Sequence, residues 1–190
     1  MSHIIAITNQ KGGVGKTTTS TALVCGLHAK GFRTLGVDLD PQGNLGFSLG
    51  IDIESGDSIY EVLKGTVSVD DALFRTPNGD ILPSNILLGS AELEFNRAGR
   101  EYLLQNILKE IEHRYDYIII DTPPALNILT VNAYVAAQHL IVPMVPEVLS
   151  LLGISQLKET IDLVRKFYNP QLNVFGILFT KYNRRMNLTR

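Results

Sequence analysis

The stretch that most constrains this chain is Gln10-Lys11-Gly12-Gly13-Val14-Gly15-Lys16-Thr17-Thr18. A short β-rich run, Ile4 to Thr8, precedes it, and a helical pattern from Lys16 to Lys30 follows. Strand, glycine loop and helix in that order are the setting a phosphate-binding loop requires. Glycine lets the backbone turn sharply and brings its N–H groups up to phosphate oxygens with no Cβ in the way. The positive end of the following helix dipole aims at the same place. Lys16 can then reach the phosphates, and the Thr17 hydroxyl can ligate Mg²⁺.

The loop departs from the common G-x-x-x-x-G-K-[ST] pattern. Gln10 stands where that pattern wants glycine, and a second lysine, Lys11, opens the loop. The run K-G-G-V-G-K-T-T resembles the deviant Walker A motif of the ParA/MinD class of P-loop ATPases. The resemblance implies an α/β fold with a doubly wound, mostly parallel sheet flanked by helices. It also implies that Lys11, Gly12, Gly13, Val14, Gly15, Lys16, Thr17 and Thr18 contact ATP, Lys11 doing so across a dimer interface. The lesser alternative for Lys11 is a solvated loop lysine.

Composition bounds the rest. A chain of 190 residues, 45% apolar and 19% charged, suits one soluble domain with a sizeable core. Its net charge of −2 gives no overall pull on nucleic acid, so any DNA contact must come from a local patch. The single cysteine, Cys25, lies in the helical pattern beside Leu23 and Leu27 and reads as a small core residue. One cysteine cannot close an internal disulfide, which fits a reducing cytosol. No signal peptide and no membrane-length apolar run is present, so a cytoplasmic location is expected and membrane association is not.

Gly31 is placed to end the first helix, and Thr34 to Asp38 reads as a buried strand. Loop, helix and second strand make one βαβ unit, which calls for a parallel sheet. The second strand delivers Asp38-Leu39-Asp40-Pro41-Gln42-Gly43-Asn44 to the ligand side of such a sheet. Alternation puts both aspartates on one strand face. D-x-D-P-Q-G-N resembles the first switch region of the ParA/Soj branch. That resemblance implies that Asp40 positions an attacking water and contributes to the Mg²⁺ shell, with Asp38 nearer the metal. A structural hydrogen bond serves equally well for Asp38.

Residues 46–100 are harder to read. Ser58 to Leu63 suggests a short helix and Val69 to Phe74 another, with a turn at Thr76 to Asp80 and a strand at Asn85 to Leu88. Glu92, Glu94, Arg97 and Arg100 read as a solvated helix face. Tyr102 to Tyr115 carries a clear helical stripe, Leu104, Ile107, Leu108, Ile111 and Tyr115. It leads into Tyr117-Ile118-Ile119-Ile120-Asp121-Thr122-Pro123-Pro124, an apolar strand tipped by a carboxylate as in a Walker B motif. Asp121 can hold a Mg²⁺-bound water beside Thr17. Pro123 and Pro124 stiffen a loop placed to sense the terminal phosphate. D-T-P-P again resembles the ParA/Soj form.

A helix is expected at Asn127 to Ala137, a strand at His139 to Pro143, and a last strand at Val174 to Thr180. Between them Ile154, Leu157, Ile161, Val164 and Tyr168 form a stripe that reads as core packing, ended by Asn169-Pro170. The tail from Lys181 has four basic residues in its last ten, either the start of a DNA-binding patch or a charged chain end. It resembles T-x-Y-D-x-R-T-N-L of the same branch, with Asn183 and Met186 as departures. Members of that branch continue by a further βα unit or two, so the chain reads as a single ATPase domain lacking its C-terminal segment.

The function the resemblance implies is a dimerising ATP–Mg²⁺ switch with slow, partner-stimulated hydrolysis. Its partners would be non-specific DNA, a ParB-like activator and a second copy of the chain, and its place the nucleoid. The alternatives are a MinD-like membrane-positioning ATPase, a ParA-like ATPase carrying a protein cargo, a metabolic enzyme on the same loop (reductase or amide ligase), and a nucleotide-dependent adaptor.

Overall fold

Runs such as Ile118-Ile119-Ile120 and Leu35-Gly36-Val37 are apolar on both faces, which only a strand covered from two sides can satisfy. The computed structural model describes residues 2–52, 56–146 and 150–181, and only the backbone of 150–153. Among the described residues seven strands form one sheet: β1 (His3–Ile7), β2 (Thr34–Asp38), β3 (Phe74–Thr76), β4 (Gly79–Leu82), β5 (Tyr117–Asp121), β6 (His139–Met144) and β7 (Asn173–Phe179). Their order is β3-β4-β2-β5-β1-β6-β7, all parallel except the β3–β4 hairpin at one edge. The α/β doubly wound expectation holds. Because the central strands share a direction, β1, β2 and β5 end on one rim, with Ile7, Asp38 and Asp121 in register.

Helices α1 (Lys16–Ala29), α2 (Asn44–Ser48), α3 (Ile59–Lys64), α4 (Ala91–Glu94), α5 (Leu103–Ile111), α6 (Ile128–Ala136) and α7 (Ser150–Phe167) pack around the sheet. The larger core cluster includes Ile118, Ile120, Leu104, Leu108, Leu140, Leu157, Ile161 and Val164, with Tyr168 partly buried against it, so the expected stripe is core except at Ile154, which is half-buried. The smaller cluster sets Val24 of α1 and Leu45 of α2 against Ile7, Ile81 and Ile119, with Cys25 packed at its side. Gly36 makes that contact possible. A Cβ there would stand 3.2 Å from Ile81, 3.3 Å from Leu45 and 3.3 Å from Val24.

The short helix expected at Ser58 to Leu63 is α3; Ser58 caps it reciprocally with Glu61, and Gly65 ends it in the left-handed conformation. Two expectations fail nearby. Val69 to Phe74 is not a helix: Ser68 and Asp71 close a single turn, and Phe74 enters β3 opposite Ile81. Nor is Asn85 to Leu88 a strand. The Asn85 side chain accepts from Leu87 N at 3.0 Å and starts a 3₁₀ turn, Ile86–Ser90, while the strand lies earlier, as β4. Pro83, which has no N–H to continue a ladder, follows β4 directly. The short helix α2 carries no signal of its own in the sequence.

The expected solvated face at residues 92–100 is partly a set of tethers. Glu94 accepts from Tyr60 Oη at 2.7 Å and pairs with Lys64, and Glu92 accepts from Ile128 N at 2.8 Å. The basic tail from Tyr182 onward lies outside the described residues.

Candidate active site

The loop after β1 folds around its own backbone. Asn9 accepts from Lys11 N at 2.9 Å and donates to Pro143 O at 2.7 Å, tying the loop entrance to β6. Gly13 (φ 68) and Gly15 (φ 90) occupy the left-handed region, which other residues adopt only under strain. Gly15 caps α1. Beneath it Thr180 Oγ1 donates to Val14 O at 2.7 Å, so this carbonyl turns into the protein. Cβ atoms built on Gly12 and Gly13 would meet nothing within 4 Å. Both glycines therefore leave room beside the loop backbone for a phosphate group.

Lys16 begins α1 and is only 7% exposed, its ammonium donating to Lys11 O at 3.3 Å. Burial lowers its pKa, opposed by the charges of Asp121 and then Asp40. Thr17 Oγ1 donates to Asp121 Oδ2 at 2.7 Å. Ser20 Oγ, one turn on, donates to the other oxygen at 2.9 Å. Burial pushes the Asp121 carboxyl up to about 6; the two hydroxyls and Lys16 pull down, and Asp40 adds to the rise. Nothing in the sequence singles out Ser20, although its spacing puts it on the helix face carrying Lys16.

Asp38 and Asp40 part company. The strand ends at Asp38, which is fully buried, and its carboxylate accepts from the backbone N–H of Asp40 (3.0 Å), Leu45 (2.9 Å) and Gly46 (3.3 Å). Burial, then the neighbouring Asp121 charge, pushes this carboxyl up to about 8 against the pull of the three amides. The structural hydrogen bond expected of Asp38 is thus present, three times over. Asp40 lies beyond the strand in a turn, accepting from Gln42 N at 3.1 Å, and is close enough to Lys16 and Asp121 to influence both. It lines a cavity of about 290 Å³ with Pro41, Gln42, Pro123, Pro124 and Asn127, so the two strand-end loops face each other.

The rim thus gathers Gly12, Gly13, Val14, Gly15, Lys16, Thr17, Asp40, Asp121 and Pro123. Thr18 is exposed on the first turn of α1, and Lys11 is exposed at the loop entrance. Gln10 Nε2 is buried with no hydrogen-bond partner. No cluster of three or more His, Cys, Asp and Glu fit to hold a metal occurs among the described residues. A hydroxyl and one or two carboxylates beside a phosphate cradle still fit Mg²⁺, which retains waters and takes phosphate oxygens as ligands. No described helix is long and apolar enough to cross a membrane.

An AAA domain family model matches residues 2–174. The chromosome partitioning protein ParA of Caulobacter vibrioides is 43% identical over 193 aligned residues, covering 98% of this chain and 72% of that protein. The sporulation initiation inhibitor protein Soj of Bacillus subtilis is 44% identical, covering 99% and 76%. Among solved structures, a cobyrinic acid a,c-diamide synthase from Mycobacterium smegmatis with bound ADP and magnesium superposes with a TM-score of 0.94. It is 45% identical and covers 98% of this chain and 77% of that one. With 43–44% identity to ParA and Soj over nearly its whole length, and a glycine loop at the head of a parallel sheet, the chain belongs to the ParA/Soj family of P-loop ATPases.

Proposed function

We propose that this chain is an ATP–Mg²⁺ switch that dimerises to partition DNA. The observation that carries the reading is the convergence of Lys16, Thr17 and Asp121 beside the glycine loop. In it Gly12 to Thr18 receive the phosphates, and Lys16, already desolvated, neutralises their charge. The Thr17 hydroxyl ligates Mg²⁺ and Asp121 holds one of its waters. Bound Mg²⁺ supplies further charge neutralisation on the phosphoryl oxygens. Asp40 orients the attacking water, and the Pro123–Pro124 loop reads whether the terminal phosphate is present. Lys11 reaches nucleotide in the second subunit, so that only the ATP state is a stable dimer.

The dimer binds DNA without sequence preference, and a ParB-like partner stimulates slow hydrolysis and release in the nucleoid. The name of the Caulobacter relative, a chromosome partitioning protein, supports this cargo, and the D-P-Q-G-N and D-T-P-P loops favour it over a membrane-positioning role. The test is co-sedimentation with non-specific DNA and, separately, with anionic liposomes, in ATP, in ADP and with Lys11→Ala. The expected result is salt-sensitive DNA binding that needs ATP and is lost in the variant. ATP-dependent liposome binding would transfer the chain to the membrane-positioning branch.

A second reading, an ATP-dependent amide-forming synthase, rests on the name of the Mycobacterium smegmatis structure. ATP turnover that requires a carboxylic acid and an ammonia donor, and ignores DNA, would replace the first reading with this one.

A further inference from the structure

Asp38 has no place in the steps above, yet like its neighbour Asp121 it is wholly buried on the rim. Its three bonds go to two separated pieces of chain. One oxygen takes Asp40 N; the other takes Leu45 N and Gly46 N, at the start of α2. The loop between closes on itself through Gly43 N to Asp40 O at 2.9 Å, with Gly43 in the left-handed conformation. Leu39 N, meanwhile, donates to Asp121 O at 3.0 Å, fixing the chain on the other side of Asp40.

We infer that Asp38 is a positioning residue: its carboxyl group clamps the Asp40 backbone and the α2 start into one rigid unit, and so sets where the Asp40 side chain stands. The inference rests on the role given to Asp40 above. A carboxyl group, with acceptor sites on both oxygens, is the one side chain of this size that can receive all three N–H groups. Asparagine keeps the volume but turns one acceptor into a donor facing amide donors. It can therefore hold Asp40 N or the α2 pair, not both.

The test is single-turnover hydrolysis of preloaded MgATP by wild type, Asp38→Asn, Asp40→Ala and the double variant, with MgATP affinity measured in parallel. Asp38→Asn is expected to slow hydrolysis by about 10–100-fold, the usual reach of a residue that orients a ligand, with affinity unchanged. The double variant is expected to be no slower than Asp40→Ala alone, since both lesions act through one group. A wild-type rate for Asp38→Asn, or additive losses in the double variant, overturns the inference. Asp40→Ala turning over at the wild-type rate instead removes Asp40 from the mechanism, and with it the role on which the inference rests. Should Asp38→Asn not fold, amide exchange in the wild-type protein decides. Leu45 and Gly46 N–H, at the start of a five-residue helix, are expected to exchange slowly with and without ATP. Exchange at the rate of open amides overturns the clamp.

Discussion

Asp38 and Asp121 are register partners on adjacent parallel strands, and both are wholly buried. Their surroundings differ in kind. Asp38 is held by three backbone amides, whose positions the fold dictates; Asp121 is held by the hydroxyls of Thr17 and Ser20, which rotate. An amide cannot withdraw its proton, but a hydroxyl can turn and offer a lone pair to a cation. Two equal acids at equal depth are thereby given unequal work. One is a fixture of the loop that follows β2, and the other can exchange partners when a ligand arrives.

The largest expected effect probes Lys16, the cation beside Asp121. Lys16→Ala should abolish productive ATP binding, with kcat/KM falling by about 10³-fold or more. Retained turnover would show that the buried ammonium is structural. Next, the two hydroxyls on Asp121 should separate. Thr17→Ala is expected to cut Mg²⁺-dependent hydrolysis by about 10²-fold, whereas Ser20→Ala should keep activity and lose about 1 kcal/mol of stability. Equal kinetic losses in the two variants would mean that Asp121 is as fixed as Asp38.

A third effect comes from protons. Both carboxyls titrate higher in the folded chain, toward about 6 for Asp121 and about 8 for Asp38, than they do unfolded. The folded state therefore binds more protons across this range, and the stability these groups confer is lost as pH rises through those values. Melting of the ligand-free protein should fall by roughly 10 °C between pH 5 and pH 8.5. MgATP, which needs Asp121 ionised, should flatten the acid part of that slope and leave the part due to Asp38. The smallest effect lies at the far end of the Asp121 loop. Asn127 accepts from Leu129 N and Thr130 N at the head of α6. Asn127→Ala should cost about 1 kcal/mol in denaturant unfolding without changing MgATP affinity.

The phosphate loop, the strand tips and the parallel sheet are legible in the sequence because their chemistry is local. Lys16 follows Gly15, and Asp121 ends an isoleucine run, whatever else the chain does. Asp38 is ambiguous there because its partners, Leu45 and Gly46, belong to a helix too short to show a period. A serine inside a helix, such as Ser20, signals nothing until β5 is placed beneath it. Between β2 and α5 tertiary contacts override pattern. Ile86 and Leu87, an apolar pair that reads as strand, stand 71% and 52% exposed on a 3₁₀ turn, while the hairpin strand β4 is hidden behind a Pro-Asn-Gly turn.

Strand β7 carries a practical consequence. Phe175, Ile177, Leu178 and Phe179 are 73%, 49%, 43% and 58% exposed, on a strand paired only with β6 among the described residues. An uncovered apolar edge of this kind invites edge-to-edge pairing between molecules. Preparations of these 190 residues should therefore scatter light increasingly with concentration. Phe175→Lys, at the most exposed of the four side chains, is the change with which to suppress it.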